Sequence, residues 1–118
     1  MSVAAKLQVK PGQRVAVLGA AGARHVDLPD VERIADASAA EAVIVYAADL
    51  EGLEAFRGAV VDSARRDALT WVAYPKGGQL GTDLNRDVLA AALTTDGVRP
   101  VRQVAIDEVW SALRFRPA

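Results

Sequence analysis

Lys76, Thr82, Asp83 and Arg86 lie close together in a stretch that reads Thr70-Trp71-Val72-Ala73-Tyr74-Pro75-Lys76-Gly77-Gly78-Gln79-Leu80-Gly81-Thr82-Asp83-Leu84-Asn85-Arg86-Asp87-Val88. Two cations, three glycines and two helix-capping residue types are the ingredients of an anion site. Thr, Trp, Val and Tyr suit a packed strand over 70–74, and Pro75 ends it because proline cannot donate to a sheet ladder. Gly77, Gly78 and Gly81 permit positive φ and close backbone approach. Thr82 or Asp83 caps the next helix by accepting from its free N–H groups. Those N–H groups and the positive end of the helix dipole favour a negative ligand. The same residues also serve an ordinary strand-to-helix connection with a good cap.

Other residues capable of chemistry are sparse. The one histidine, His25, falls in the loop after the first strand, and no Gly-x-Ser-x-Gly elbow accompanies Ser63 or Ser111. No catalytic residue is assigned. Asp107 and Glu108 are adjacent and would point to opposite faces of a strand. Asp83 and Asp87 are four apart and better placed to complement a helix dipole than to hold a cation, so no metal site is assigned. Gly19 and Gly22 follow the first strand and Asp36 closes the second, where a nucleoside cofactor would find a phosphate loop and a ribose partner. The full glycine fingerprint is missing, and no cofactor is assigned. Arg114 and Arg116 alternate onto one face of the last strand, Arg99 and Arg102 lie in its neighbour, and Trp110 could stack a base. The competing explanation is a solvated sheet face with arginine stems covering apolar area.

The elements that position these residues follow from hydrophobic periodicity. Val3 to Val9 reads as a short helix stopped by Pro11-Gly12. Arg14 to Gly19 is an apolar run typical of a central strand, Val31 to Ala35 a weaker one, and Val43 to Ala47 the clearest. Asp49 caps a helix in which Leu50, Leu53, Val60 and Ala64 recur at helical spacing. A second helix is expected from Asp83 to about Thr95, stopped by Gly97. Val101 to Ile106 and Trp110 to Arg116 are strands joined by too few residues for a crossover, so they are antiparallel. The alternation implies a Rossmann-like or methyltransferase-like three-layer α/β domain over residues 1–118. Its sheet is mostly parallel, with one antiparallel C-terminal strand.

A chain of 118 residues that is 52% hydrophobic and 25% charged can bury a substantial core. It has no cysteine, which excludes disulfides and fits a reducing cytoplasm. The start lacks a signal-like apolar run, and no stretch approaches a membrane span. The net charge of −1 selects no partner. Only three of fourteen basic residues are lysine, a bias that genome composition explains as readily as phosphate recognition.

Several blocks together resemble a small bacterial family of unknown function. They are Ala5-Lys6-Leu7, Lys10-Pro11-Gly12-Gln13-Arg14-Val15, Trp71-Val72-Ala73-Tyr74-Pro75-Lys76, Thr82-Asp83-Leu84-Asn85-Arg86-Asp87-Val88 and Ile106-Asp107-Glu108-Val109-Trp110-Ser111-Ala112-Leu113-Arg114-Phe115. That resemblance implies no activity. The layout is also similar to a trimmed class I methyltransferase, which implies that the last strand inserts beside the 70–74 strand.

The expectation is therefore a non-catalytic module for a small anionic ligand or a protein partner. Its site would cluster Lys76, Gly77, Gly78, Thr82, Asp83, Arg86, Asp107, Trp110 and Ser111 around one shallow pocket. A degenerate domain still binding a nucleoside, and an arginine-led nucleic-acid binder, are the alternatives; nucleic acid ranks below the small anion.

Overall fold

The computed structural model describes residues 2–19, 26–77 and 81–118. Within them the elements run α1 (Val3–Lys6), β1 (Arg14–Leu18), β2 (Glu32–Arg33), a 3-10 turn (Ala37–Ala39), β3 (Ala42–Tyr46), α2 (Leu50–Arg65), β4 (Leu69–Pro75), α3 (Arg86–Thr94), β5 (Val98–Ala105) and β6 (Trp110–Pro117). The six strands form one sheet in the order β2-β1-β3-β4-β6-β5. β2, β1, β3 and β4 are mutually parallel. β6 runs antiparallel to both β4 and β5.

The insertion of β6 follows from chain length. Only residues 106–109 separate β5 from β6, so they pair as a hairpin. β6 then fills the place beside β4, with Pro75 opposite Trp110 and Thr70 opposite Phe115. The Lys76 amide donates to the Val109 carbonyl at 2.8 Å, which ties the end of β4 to the hairpin.

Successive side chains along the central strands alternate between two cores. Val43, Val45, Val72, Leu113 and Phe115 pack against Leu53, Val60 and Ala64 of α2 and Leu89 and Leu93 of α3. Ile44, Tyr46, Trp71, Ala73 and Trp110 face Leu7, Val9, Val26 and Leu28 on the other side. Among the described residues that second face is covered by α1 and extended chain rather than by a long helix. Every residue of β3 is buried, which is why its sequence reads as a continuous apolar run. Val15, Val43, Val45, Trp71 and Val72 are buried as expected. Val17 is half-buried, because β2 pairs only with the Arg14–Val15 end of β1.

Several boundaries differ from the sequence expectation. α1 stops at Lys6 because Gln8 takes a left-handed backbone conformation, φ 61°. Leu7 and Val9 thereby leave the helix and bury in the sheet, where the Leu7 carbonyl accepts from the Trp71 indole at 2.9 Å. β2 is only Glu32–Arg33, since Asp36 turns the chain into the 3-10 segment. β5 begins at Val98, earlier than Val101. α3 begins at Arg86, and its cap is Asn85 rather than Thr82 or Asp83: the Asn85 Oδ1 accepts from the Val88 amide at 2.9 Å. The reason is Leu84, which is 2% exposed and anchors the chain in the core before the helix can start. Asp83 and Asp87 therefore share no helix face. Arg57 of α2 holds the end of α3, bonding Asp96 at 2.7 Å and also the Ala92 carbonyl. Gly97, at φ 82°, turns the chain from α3 into β5. No helix among the described residues is long and apolar enough to cross a membrane.

Candidate functional site

Two helices of useful length point their N-termini to the carboxyl edge of the sheet, and their ends differ in charge. At α2 the Asp49 carboxylate accepts from the Gly52 amide at 2.7 Å, and Asp83 reaches across to accept from the Leu50 amide at 3.1 Å. Thr82 accepts from the Leu84 amide at 3.1 Å and donates to Asp83. These residues, with Ala48 and Gly81, line a depression of about 390 Å³. Its helix end is already neutralised by two carboxylates, so it repels a further anion.

At α3 the cap is the neutral Asn85. The amides of Arg86 and Asp87 have no hydrogen-bond partner among the described residues. A second depression of about 450 Å³ opens there, lined by Tyr74, Lys76, Gly77, Asn85, Arg86, Asp87, Gln103 and Ser111. Lys76 is half-buried at the end of β4, and Arg86 is exposed on the first turn of α3. Asp87 contacts Arg86 at 3.4 Å, but its own side chain is 92% exposed, so the pair holds little.

Tyr74 is among the residues that line this depression. The residue is 3% exposed, yet its hydroxyl finds no hydrogen-bond partner among the described residues. Ser111 stands directly across the strand pair and close enough to influence the phenol's titration, but the geometry completes no bond. Burial pushes the Tyr74 phenol above its ordinary pKa, against the opposing pull of Arg86 and Ser111. It is therefore a neutral donor at physiological pH, with no acceptor of its own.

The structure thus brings together Lys76, Gly77, Arg86 and Ser111, and separates the rest of the expected cluster. Thr82 and Asp83 belong to the α2 end, because the chain between Gly81 and Leu84 wraps that helix instead of starting α3. Trp110 lies on the opposite sheet face, stacked edge-on against Tyr46 with ring centroids 5.1 Å apart. Asp107 closes the hairpin, accepting from the Val109 and Trp110 amides at 2.8 Å each. Lys76 and Arg86 form no ion pair with Asp83 or Asp107 among the described residues. Gly77 carries neither a positive φ nor a close contact, whereas Gly81 has φ 57°. Gly78 lies outside the described residues, as do Gly22 and His25.

Of the expected nucleoside-binding residues, Gly19 is required by packing: with φ 100°, a Cβ there would collide with the Tyr46 carbonyl. The Asp36 carboxylate accepts from the Ser38 amide at 3.0 Å and its hydroxyl at 2.6 Å, bonds that hold its pKa below the usual carboxylate value. Ser63 is buried and accepts from Thr70 at 3.0 Å, a structural bond. Sequence reasoning missed Tyr74, Asn85, Asp87 and Gln103 as lining residues. The available signal was Tyr74 itself, an aromatic with a polar tip at the end of an otherwise apolar strand. Compared with protein-family models and with curated proteins, the sequence matches none.

Proposed function

We propose that the protein is a non-catalytic binding module that takes a small oxyanion, such as a phosphate or carboxylate group, at the β4–α3–β6 depression. The observation that carries this reading is the buried, unpartnered hydroxyl of Tyr74, a residue that lines the same depression as the start of α3, where the Arg86 and Asp87 amides are unpartnered among the described residues. An anion there accepts from Tyr74 and from the Arg86 and Asp87 amides, while Lys76 and Arg86 together outweigh the single, exposed Asp87 carboxylate that also lines the depression. The acidic α2 end lacks this combination, which makes the site selective within the sheet edge.

The strand order, with an antiparallel strand between β4 and β5, supports a methyltransferase-like reading of the fold and hence a nucleoside ligand. Against that reading, the Asp36 carboxylate is engaged by Ser38 and Gly19 serves packing. Fold alone does not carry a chemistry.

A thermal-shift screen with inorganic phosphate, nucleotides, S-adenosylmethionine and simple carboxylates tests the proposal. A ligand held at about 100 times its Kd stabilises the native state by about 2.7 kcal/mol. The proposal expects such a shift with an oxyanion and its loss in Lys76→Ala. Stabilisation by S-adenosylmethionine that survives Lys76→Ala but not Asp36→Ala favours the nucleoside reading instead, and no shift with any oxyanion overturns the proposal.

A further inference from the structure

The face of β5 and β6 that looks away from α2 and α3 carries four arginines in two opposed pairs. In the sheet register Arg99 stands opposite Arg116 and Arg102 opposite Arg114. Partners directly across an antiparallel ladder share a face. On β6 the two arginines alternate with Leu113 and Phe115, which point into the α2–α3 core. On β5 the spacing is odd: Arg99 and Arg102 are three residues apart and would fall on opposite faces of a regular strand. The register shifts between Pro100 and Arg102, an irregularity of the β-bulge kind, and that shift returns Arg102 to the face of Arg99. The local break in the ladder thus gathers the four cations.

Like charges placed directly opposite one another destabilise a sheet, and here a single carboxylate, Asp67, offsets Arg116 and in part Arg114. Asp67 makes a two-point contact with Arg116, at 3.1 Å for each bond. Arg114 donates to Gln8 at 2.9 Å and Arg99 to the Pro117 carbonyl at 3.2 Å, both uncharged. Arg102 makes no hydrogen bond or ion pair among the described residues. Lys6 adds a fifth cation nearby, its ammonium on the Ala105 carbonyl at 3.1 Å.

We propose that this arginine face binds the phosphate backbone of double-stranded nucleic acid without reading its bases. Guanidinium forks match phosphate oxygens in a bidentate geometry, and a two-by-two array meets several phosphates at once. Among the described residues the face holds no exposed aromatic ring: Trp71 and Trp110 are buried, so it offers single-stranded bases no stacking platform there. Nor does it hold the apolar centre of a stable protein interface. Val101, at 37%, is the only exposed large hydrophobic among the described residues. The surface is electrostatic, and charge complementarity selects a polyanion.

Fluorescence anisotropy of a labelled DNA duplex, titrated with the whole protein over a series of salt concentrations, tests this. Each phosphate contact contributes about −0.9 to the slope of log K against log salt for duplex, so the three arginines without a carboxylate partner give about −2.7. Arg99→Gln with Arg102→Gln, both exposed on the edge strand, reduces the slope by about 1.8 while Lys76→Ala leaves it unchanged. Circular dichroism verifies that the variant is folded; if it is not, Arg102→Gln alone carries the test, with a loss of about 0.9. The proposal is overturned by absence of binding at low salt or by an unaltered slope in the variant. It is equally overturned if a single strand of the same length or a polyglutamate chain binds at least as tightly as the duplex.

Discussion

Replacing Tyr74 by Phe separates a binding role for its hydroxyl from a structural one. The ring fills the core shared with Val72, Leu89 and Leu113, and Phe retains that packing. Only the oxygen is removed, and that oxygen is buried without a partner among the described residues. An unsatisfied buried polar group costs about 1–3 kcal/mol. Tyr74→Phe is therefore expected to leave the free protein as stable as the wild type or to stabilise it by up to that amount. For a chain of this size the rise corresponds to roughly 3–6 °C in Tm for each 1 kcal/mol gained. The same variant loses a hydrogen bond to the bound anion, worth about 1.5–3 kcal/mol when the partner is charged, or about 10- to 150-fold in Kd. Urea unfolding with and without saturating phosphate reads both effects. A destabilisation of the free protein by more than about 1 kcal/mol would refute the reasoning, because it would mean that the hydroxyl already makes a structural bond.

Three further outcomes follow from the packing. Val45→Ala, at a fully buried position of β3, lowers stability by about 1–3 kcal/mol through lost burial and a residual cavity, measured by chemical denaturation. Asn85→Ala removes the α3 cap and costs about 1 kcal/mol; if it costs nothing, the helix starts elsewhere. At high pH, burial first, and then the Asp107 charge, push the Tyr46 phenol up to about 12. An acid whose folded pKa is raised contributes stability fully present below its unfolded pKa of about 10, and this is lost as pH rises towards 12. Stability, read from alkaline unfolding followed by tyrosinate absorbance, is expected to fall in that window, and Tyr46→Phe removes that contribution to the pH dependence.

Much of this architecture is legible in the residues. The β-branched run Val43-Ile44-Val45 and the alternation of Leu113 and Phe115 with arginine each carry a periodicity that burial imposes. The Asp49 cap and the short hairpin at 107–109 are local signals that the tertiary structure leaves intact. Where tertiary packing overrides a local signal, the sequence misleads. Thr82-Asp83 reads as a good cap, yet burial of Leu84 delays α3 to Arg86 and frees Asp83 to cap α2. The site divided for the same reason, since proximity along the chain did not show which helix end each residue would serve. Trp110 goes to the far face by the same alternation that sets Arg114 and Arg116 opposite Leu113 and Phe115; β6 starts at Trp110 as expected, but that residue's face was not carried into the expected cluster. The gathering of Arg99 with Arg102 depends on a register shift that no periodicity announces.

The central claim is that Lys76, Tyr74 and the start of α3 hold an oxyanion. Isothermal titration of inorganic phosphate into the wild type and into Lys76→Ala with Arg86→Gln tests it most directly. A saturable one-site isotherm is expected for the wild type, abolished in the double variant while Tm stays unchanged, because Arg86 is exposed, Lys76 is half-buried and neither forms a buried ion pair among the described residues. A wild-type titration with no saturable heat, or an equal affinity in the double variant, would contradict it.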